Sequence, residues 1–158
     1  MSFFRKRNIN QSRKVMSGRN VVVERVFDAP VKKVWQALTV NELMKQWHFD
    51  VPGFKAEKGF KFEFTSGPSP ERQYVHLCEI VEVIPERKLA HTWMYKGYEG
   101  SSTVMFELFD EGGKTRLKLT HSGIDSFPIS NTDFARGNFE KGWTEIVNTS
   151  LKKFLEAA

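Results

Sequence analysis

One cysteine, Cys78, stands in the whole chain. A lone thiol closes no intramolecular disulfide and builds no thiolate metal cluster. That excludes a cystine-stapled secreted scaffold and a zinc-finger type of module. No apolar run approaches the roughly 20 residues that span a bilayer. The basic N-terminus has no apolar stretch behind it of the kind a secretory leader carries. A cytoplasmic protein without stable membrane association is expected. The four histidines, His48, His76, His91 and His121, fall at no HxxxH or HExxH spacing, so neither a metal nor another cofactor is expected. The turn Gly97-Tyr98-Glu99-Gly100 lacks the strand–glycine–helix context of a phosphate loop. Internal repeats are absent as well.

Acidic residues are missing from the first nineteen positions, which hold Arg5, Lys6, Arg7, Arg13, Lys14 and Arg19. Taking those six from the 24 basic side chains leaves eighteen against 19 acidic ones. The net charge of +5 therefore describes a tail and not a folded body. A nucleic-acid footprint needs a basic patch on the folded part, and none is evident, so no nucleic-acid partner is expected. Residues 1–18 read as a disordered basic arm. That arm is a solvated tail, a weak lipid contact through Phe3, Phe4 and residues 5–7, or an extension ahead of a start at Met16. Residues 19–158 read as a single domain, and 40% hydrophobic content is ample for its core.

What is present is aromatic and periodic. From 138 to 158 the apolar residues Phe139, Trp143, Ile146, Val147, Leu151 and Phe154 form the stripe of a helix with one buried face. Residues 20–28 are rich in β-branched side chains and predict a strand. Asp28 and Pro30 open a helix with Val31, Val34, Trp35 and Leu38 on one face. A second short helix begins near Asn41, with Leu43, Met44 and Trp47 on its apolar side. Residues 48–58, with Pro52 and Gly53, read as a loop. Alternation predicts a strand over 59–65 with Phe60, Phe62 and Phe64 on one face. A flexible connection follows over 66–72, then a strand over 73–84. Glu79 and Glu82 cannot both face outward in a regular strand, so a bulge is expected there. Further strands are expected over 88–95, 101–109 and 115–121. The last two pair through a hairpin turn at 110–114 and direct Val104, Phe106, Leu108, Leu117 and Leu119 inward. Residues 123–136 form a long loop, readable as a lid or as an inert connector.

Three segments together resemble a known family. Residues 25–39 with Leu43 and Trp47, residues 79–93 ending in Trp93, and Gly142-Trp143 with Leu151 and Phe154 beyond are similar to START-like, Bet v 1-type (SRPBCC) proteins. The nearest branch resembles the C-terminal domain of the activator of Hsp90 ATPase. The resemblance covers roughly residues 20–157. It implies an α+β helix-grip fold: a curved antiparallel sheet of six strands wrapped around a long C-terminal helix, with two short helices after the first strand. It is specific for a fold and not for one activity.

The inward faces of sheet and helix then define either an apolar pocket or a filled core. The candidate ligand-binding residues are Phe60, Phe62, Phe64, His76, Cys78, Trp93, Phe106, His121, Phe139, Trp143 and Val147. No catalytic residue is assigned. Three functions follow as expectations. The first is a monomeric protein that binds a hydrophobic small molecule without chemistry. The second is an Hsp90-activator-like module with a chaperone partner. The co-chaperones carry a further N-terminal domain where this sequence has an 18-residue arm, so this reading ranks below the first. The third is a cyclase- or hydrolase-like enzyme using His76 or His121 as acid and base.

Overall fold

A computed structural model describes residues 20–157. The expected arm over residues 1–18 lies outside the described residues. Six strands form one antiparallel sheet: β1 Val21–Phe27, β2 Lys61–Ser69, β3 Arg72–Ile84, β4 Lys88–Tyr95, β5 Ser102–Asp110 and β6 Thr115–Ser122. Their spatial order is β1-β6-β5-β4-β3-β2. Two short helices, α1 Val31–Thr39 and α2 Asn41–Met44, follow β1. The C-terminal helix α3 covers 136–156 and lies in the concave face of the curled sheet, so the architecture is the helix-grip α+β fold.

Period-two patterning places the core. On β6, Thr115, Leu117, Leu119 and His121 are buried, while Arg116, Lys118, Thr120 and Ser122 are less so. β5 repeats this with Ser102, Val104, Phe106 and Leu108 inward. The bulge expected near Glu79 and Glu82 is present: β3 shifts register on β4 between Ile80 and Glu82. Val81 is the extra residue, and it turns outward.

Three local expectations are corrected. Pro30, and not Asp28, occupies the cap of α1, and its carbonyl accepts the N–H groups of Lys33 and Val34 at 3.0 and 3.2 Å. The Asp28 N–H is held instead by the Glu156 carboxylate, 3.0 Å away. Residues 66–72 are also not a free connection. β2 continues to Ser69, with a register shift between Ser66 and Ser69 that absorbs Gly67 and Pro68. As an edge strand β2 tolerates a residue without an N–H donor. A methyl group on Gly67 would overlap the Arg72 carbonyl oxygen. Gly67→Ala is therefore expected to force this hairpin end apart and cost about 1–3 kcal/mol, read by chemical denaturation.

The third correction concerns α3. Its buried positions are Phe139, Trp143, Val147, Leu151 and Leu155, whereas Ile146 and Phe154 are only partly buried. The buried residues recur every fourth position. At about 3.6 residues per turn, each such step drifts about 40° around an α-helix. The segment Ile146–Leu151 is a π-helix between the α-helical segments Arg136–Glu145 and Lys152–Glu156. Its wider i→i+5 winding turns the stripe back toward the sheet. At the far end Lys33 Nζ donates to the Leu155 carbonyl at 2.7 Å, which satisfies one orphan acceptor of the last turn.

Candidate functional site

Between the first half of α3 and the β2–β4 end of the sheet lies an open cleft of about 740 Å3. Alternation on β3 and β4 turns His76, Trp93 and Tyr95 toward it. The four-residue repeat of α3 brings Phe139 and Trp143, and the adjoining Ile146 forms part of the wall. The β2–β3 hairpin supplies Gly67, Pro68 and Arg72, and the loop before α3 supplies Thr132 and Asp133. Phe49 enters from the loop after α2, and Asn138, Lys141 and Glu145 stand along the helix rim. The floor is aromatic and the rim is polar and charged.

The rim loop is pinned. Tyr74 donates its hydroxyl proton to Asp133 Oδ2 at 2.6 Å, and Asn131 Nδ2 donates to the Tyr74 oxygen at 3.1 Å. Arg72 stands 3.6 Å from the Asp133 carboxylate. The hydrogen bond to Asp133, more than burial, raises the Tyr74 pKa. Phe134 stacks on Tyr95 at 4.5 Å between ring centres and leans on Tyr74 at 5.1 Å. Thr132 and Asp133 are thereby held as a wall of the cleft.

Behind the floor runs a buried polar chain. Trp143 Nε1–H donates to His121 Nδ1 at 2.9 Å. His121 must then carry its proton on Nε2, which donates to Ser102 Oγ at 2.8 Å. The Ser102 hydroxyl donates onward to the Trp93 carbonyl at 2.8 Å. Both His121 nitrogens are committed, and the ring is fully buried. Trp93 Nε1–H donates to the Tyr95 oxygen at 2.9 Å, and burial raises the Tyr95 pKa.

All four histidines turn inward around Trp93 and Trp143. The His76, His91 and His121 rings lie 4.8, 6.3 and 5.2 Å from Trp93, and His48 lies 5.6 Å from Trp143. Desolvation is the largest cause of their lowered pKa values, about 3 for His48 and His121 and about 4 for His76 and His91. His76 and His91 donate from Nδ1 to the carbonyls of Tyr74 and Thr92 at 3.0 and 2.8 Å, which opposes the shift in both. His48 and His121 are lowered further by proximity to the other imidazoles. Among the described residues, no three His, Cys, Asp or Glu side chains gather as a metal site.

A second, smaller chamber of about 20 Å3 lies between α1, α2 and the sheet. Phe62, Phe64, Leu89 and Phe106 form its sheet side, and Met44, Trp47 and His48 its helix side. His48, one of its lining residues, has a buried Nδ1 with no hydrogen-bond partner. An unpaired buried polar atom of this kind costs about 1–3 kcal/mol.

Of the residues singled out in the sequence, the structure brings His76, Trp93, Phe139 and Trp143 to the cleft. It places Phe62, Phe64 and Phe106 on the smaller chamber instead. Phe60 packs beside Phe54 and Phe62, with ring centres 5.8 and 6.3 Å apart, and lines neither space. Cys78, His121 and Val147 are buried behind the walls, and burial pushes the Cys78 thiol up to about 12. Sequence reasoning missed Tyr95 and His91, although both share the parity of Trp93. It also missed Phe49, Arg72 and Asp133, which carry no periodic signal because irregular or turn segments deliver them.

Comparison with known proteins fits this geometry. A family model described as Activator of Hsp90 ATPase homolog 1-like protein matches residues 28–156. The mouse (Mus musculus) protein named Activator of 90 kDa heat shock protein ATPase homolog 2 is 27% identical over 127 residues, covering 77% of this chain. The chain spans only 36% of that relative's length. The crystal structure of a Mesorhizobium loti protein, 27% identical, superposes with a TM-score of 0.69 over 87% of this chain and 96% of its own. The Aha1 dimer of Colwellia psychrerythraea, at 22% identity, reaches 0.67 over 87% and 96% and speaks for the fold alone.

Proposed function

The chain belongs to the activator of Hsp90 ATPase homolog 1-like family, and from that premise we propose that it binds a hydrophobic small molecule in the cleft beneath α3. The observation that carries this reading is the cleft itself. Its volume of about 740 Å3 falls in the range of small-molecule sites, about 300–1,000 Å3. Its floor of Trp93, Tyr95, Phe139 and Trp143 offers flat apolar faces, and the polar rim can orient a ligand's head group. Binding without chemistry is the simplest use of these groups, because His121 has no free nitrogen and His76 keeps Nδ1 on a backbone carbonyl.

Two tryptophans in the floor give the test. Titration with flat aromatic and long-chain apolar compounds is expected to quench or shift their fluorescence saturably. Native mass spectrometry of protein isolated from its own host is expected to retain the ligand. No saturable response across the set and no retained mass would remove the reading. The same reading takes the protein as a monomer, and light scattering at the mass of two chains would overturn that.

A second reading, a chaperone-binding module, is favoured by the family match and by the name of the mouse relative. Stimulation of the host Hsp90 ATPase by this chain would support it. Absence of both stimulation and complex formation would remove it.

A further inference from the structure

We infer that the Phe49 side chain is a gate between the open cleft and the smaller chamber, and that the chamber receives the oxygen-bearing end of an elongated apolar ligand. This rests on the ligand-binding reading of the cleft. Among the described residues lining the two spaces, Phe49 alone is common to both. Its ring stacks on Phe64 at 3.9 Å and leans on His48 at 4.1 Å, so this aromatic side chain stands where the two spaces meet.

The backbone on either side of Phe49 is fixed. The His48 N–H donates to the Met44 carbonyl at 2.8 Å, which ties it to α2. Asn41 holds the other side: its Oδ1 accepts the Val51 N–H at 2.7 Å, and its Nδ2 donates to Asp50 Oδ1 at 2.8 Å. Opening is therefore a rotation of one side chain and not the movement of a loop.

The chamber behind the gate has its own chemistry. Most of its wall is apolar, from Leu38, Met44, Phe62, Leu89 and Phe106. The polar exceptions include His48 and His91, and His48 Nδ1 lacks a partner. The present space of about 20 Å3 holds at most a water-sized group. Turning Phe49 out adds the volume of its ring. An alkyl chain ending in a hydroxyl or carbonyl then fills the apolar part and pairs with His48. The cleft end of the same ligand lies against Trp93 and Trp143.

The test uses straight-chain alcohols of about six to twelve carbons, read by displacement of anilinonaphthalene sulfonate; full burial strengthens binding about fourfold per added methylene. In Phe49→Ala, long alcohols are expected to gain at least about tenfold in affinity relative to short ones, compared with the wild type. Phe49→Trp, which enlarges the side chain at this boundary, is expected to weaken the long ones more than the short ones. Phe49→Leu repeats the first trend at smaller amplitude and covers a failure of Phe49→Ala to fold. His48→Leu is expected to cut about tenfold from the advantage of an alcohol over the equally long hydrocarbon. Unchanged length dependence in all three Phe49 variants would overturn the gate while leaving the cleft as a binding site. A wild type that binds neither dye nor alcohol would remove the cleft reading, and the gate with it.

Discussion

Mild acid is expected to unfold this protein. Four imidazoles are packed among aromatic rings, with pKa values of about 3 to 4. In the unfolded chain the same groups titrate near about 6.5. As the pH falls below that value, the unfolded state takes up protons that the folded state cannot accept. Stability contributed by keeping these rings neutral is thus fully present above about pH 6.5 and is lost on the way down to about 4. Between about pH 7.5 and 5.5 each ring costs about 1.3 kcal/mol, and the set about 5 kcal/mol. A domain is usually stable by only about 5–15 kcal/mol, so that loss is decisive.

Geometry sharpens the expectation. Protonated His121 would present an N–H at Nδ1 to the Trp143 N–H that now donates to it, breaking the chain to Ser102 and Trp93. Denaturant midpoints measured at a series of pH values are expected to fall steeply between about 6.5 and 5. Replacing His48, whose Nδ1 has no partner, separates charge from hydrogen bonding. His48→Phe is expected to remove about one proton from the slope while sparing neutral-pH stability. A flat stability profile through this range would show that the rings are solvated in the folded state.

The fold was legible from the sequence because its period-two and helical patterns are strong and local. Phe60, Phe62 and Phe64 announced a strand, and Val104, Phe106 and Leu108 an inward face. Even the bulge of β3 followed from two glutamates three residues apart. The winding of α3 was hidden for a physical reason. Leu155 shares a line with Phe139 only because a π-helical segment intervenes, and the linear pattern offered Ile146 and Phe154 beside the buried Val147 and Leu151. The site was half legible. Strand parity carried His76 and Trp93, and helix spacing carried Phe139 and Trp143. Whether an inward residue meets a cleft, a chamber or solid core depends on how far the helix stands off the sheet at that point. His121 and Trp93 both point inward, yet Trp93 meets open space while His121 is sealed behind Trp143 and Phe139. Phe49 and Asp133 come from irregular segments, whose positions are set by tertiary contacts such as the Asn41 and Tyr74 hydrogen bonds.

Trp143→Ala is expected to cost about 3–5 kcal/mol, although the residue borders an open cleft. A wall residue that faced mostly empty space would lose fewer contacts, and its removal would cost only about 1–2 kcal/mol. The structure decides between these cases. Trp143 is 3% exposed. Its ring meets Trp93 at 5.5 Å, His48 at 5.6 Å and Phe106 at 6.1 Å between centres. Its N–H donates to His121 Nδ1, so truncation also strands a buried acceptor. Trp143→Phe separates the two contributions. It keeps most of the apolar contact and loses the donor, so about 1–2 kcal/mol is expected, close to the cost of one buried hydrogen-bond partner. Equilibrium denaturation of both variants reads these values, and titration of the same variants with a bound compound reads the cleft. If Trp143 is both core and floor, Trp143→Ala weakens binding strongly while Trp143→Phe restores most of it, because the ligand needs the aromatic face and His121 needs the N–H. Equal binding loss in the two variants would mean that the hydrogen bond positions the floor, which would make the buried chain through Ser102 part of the site.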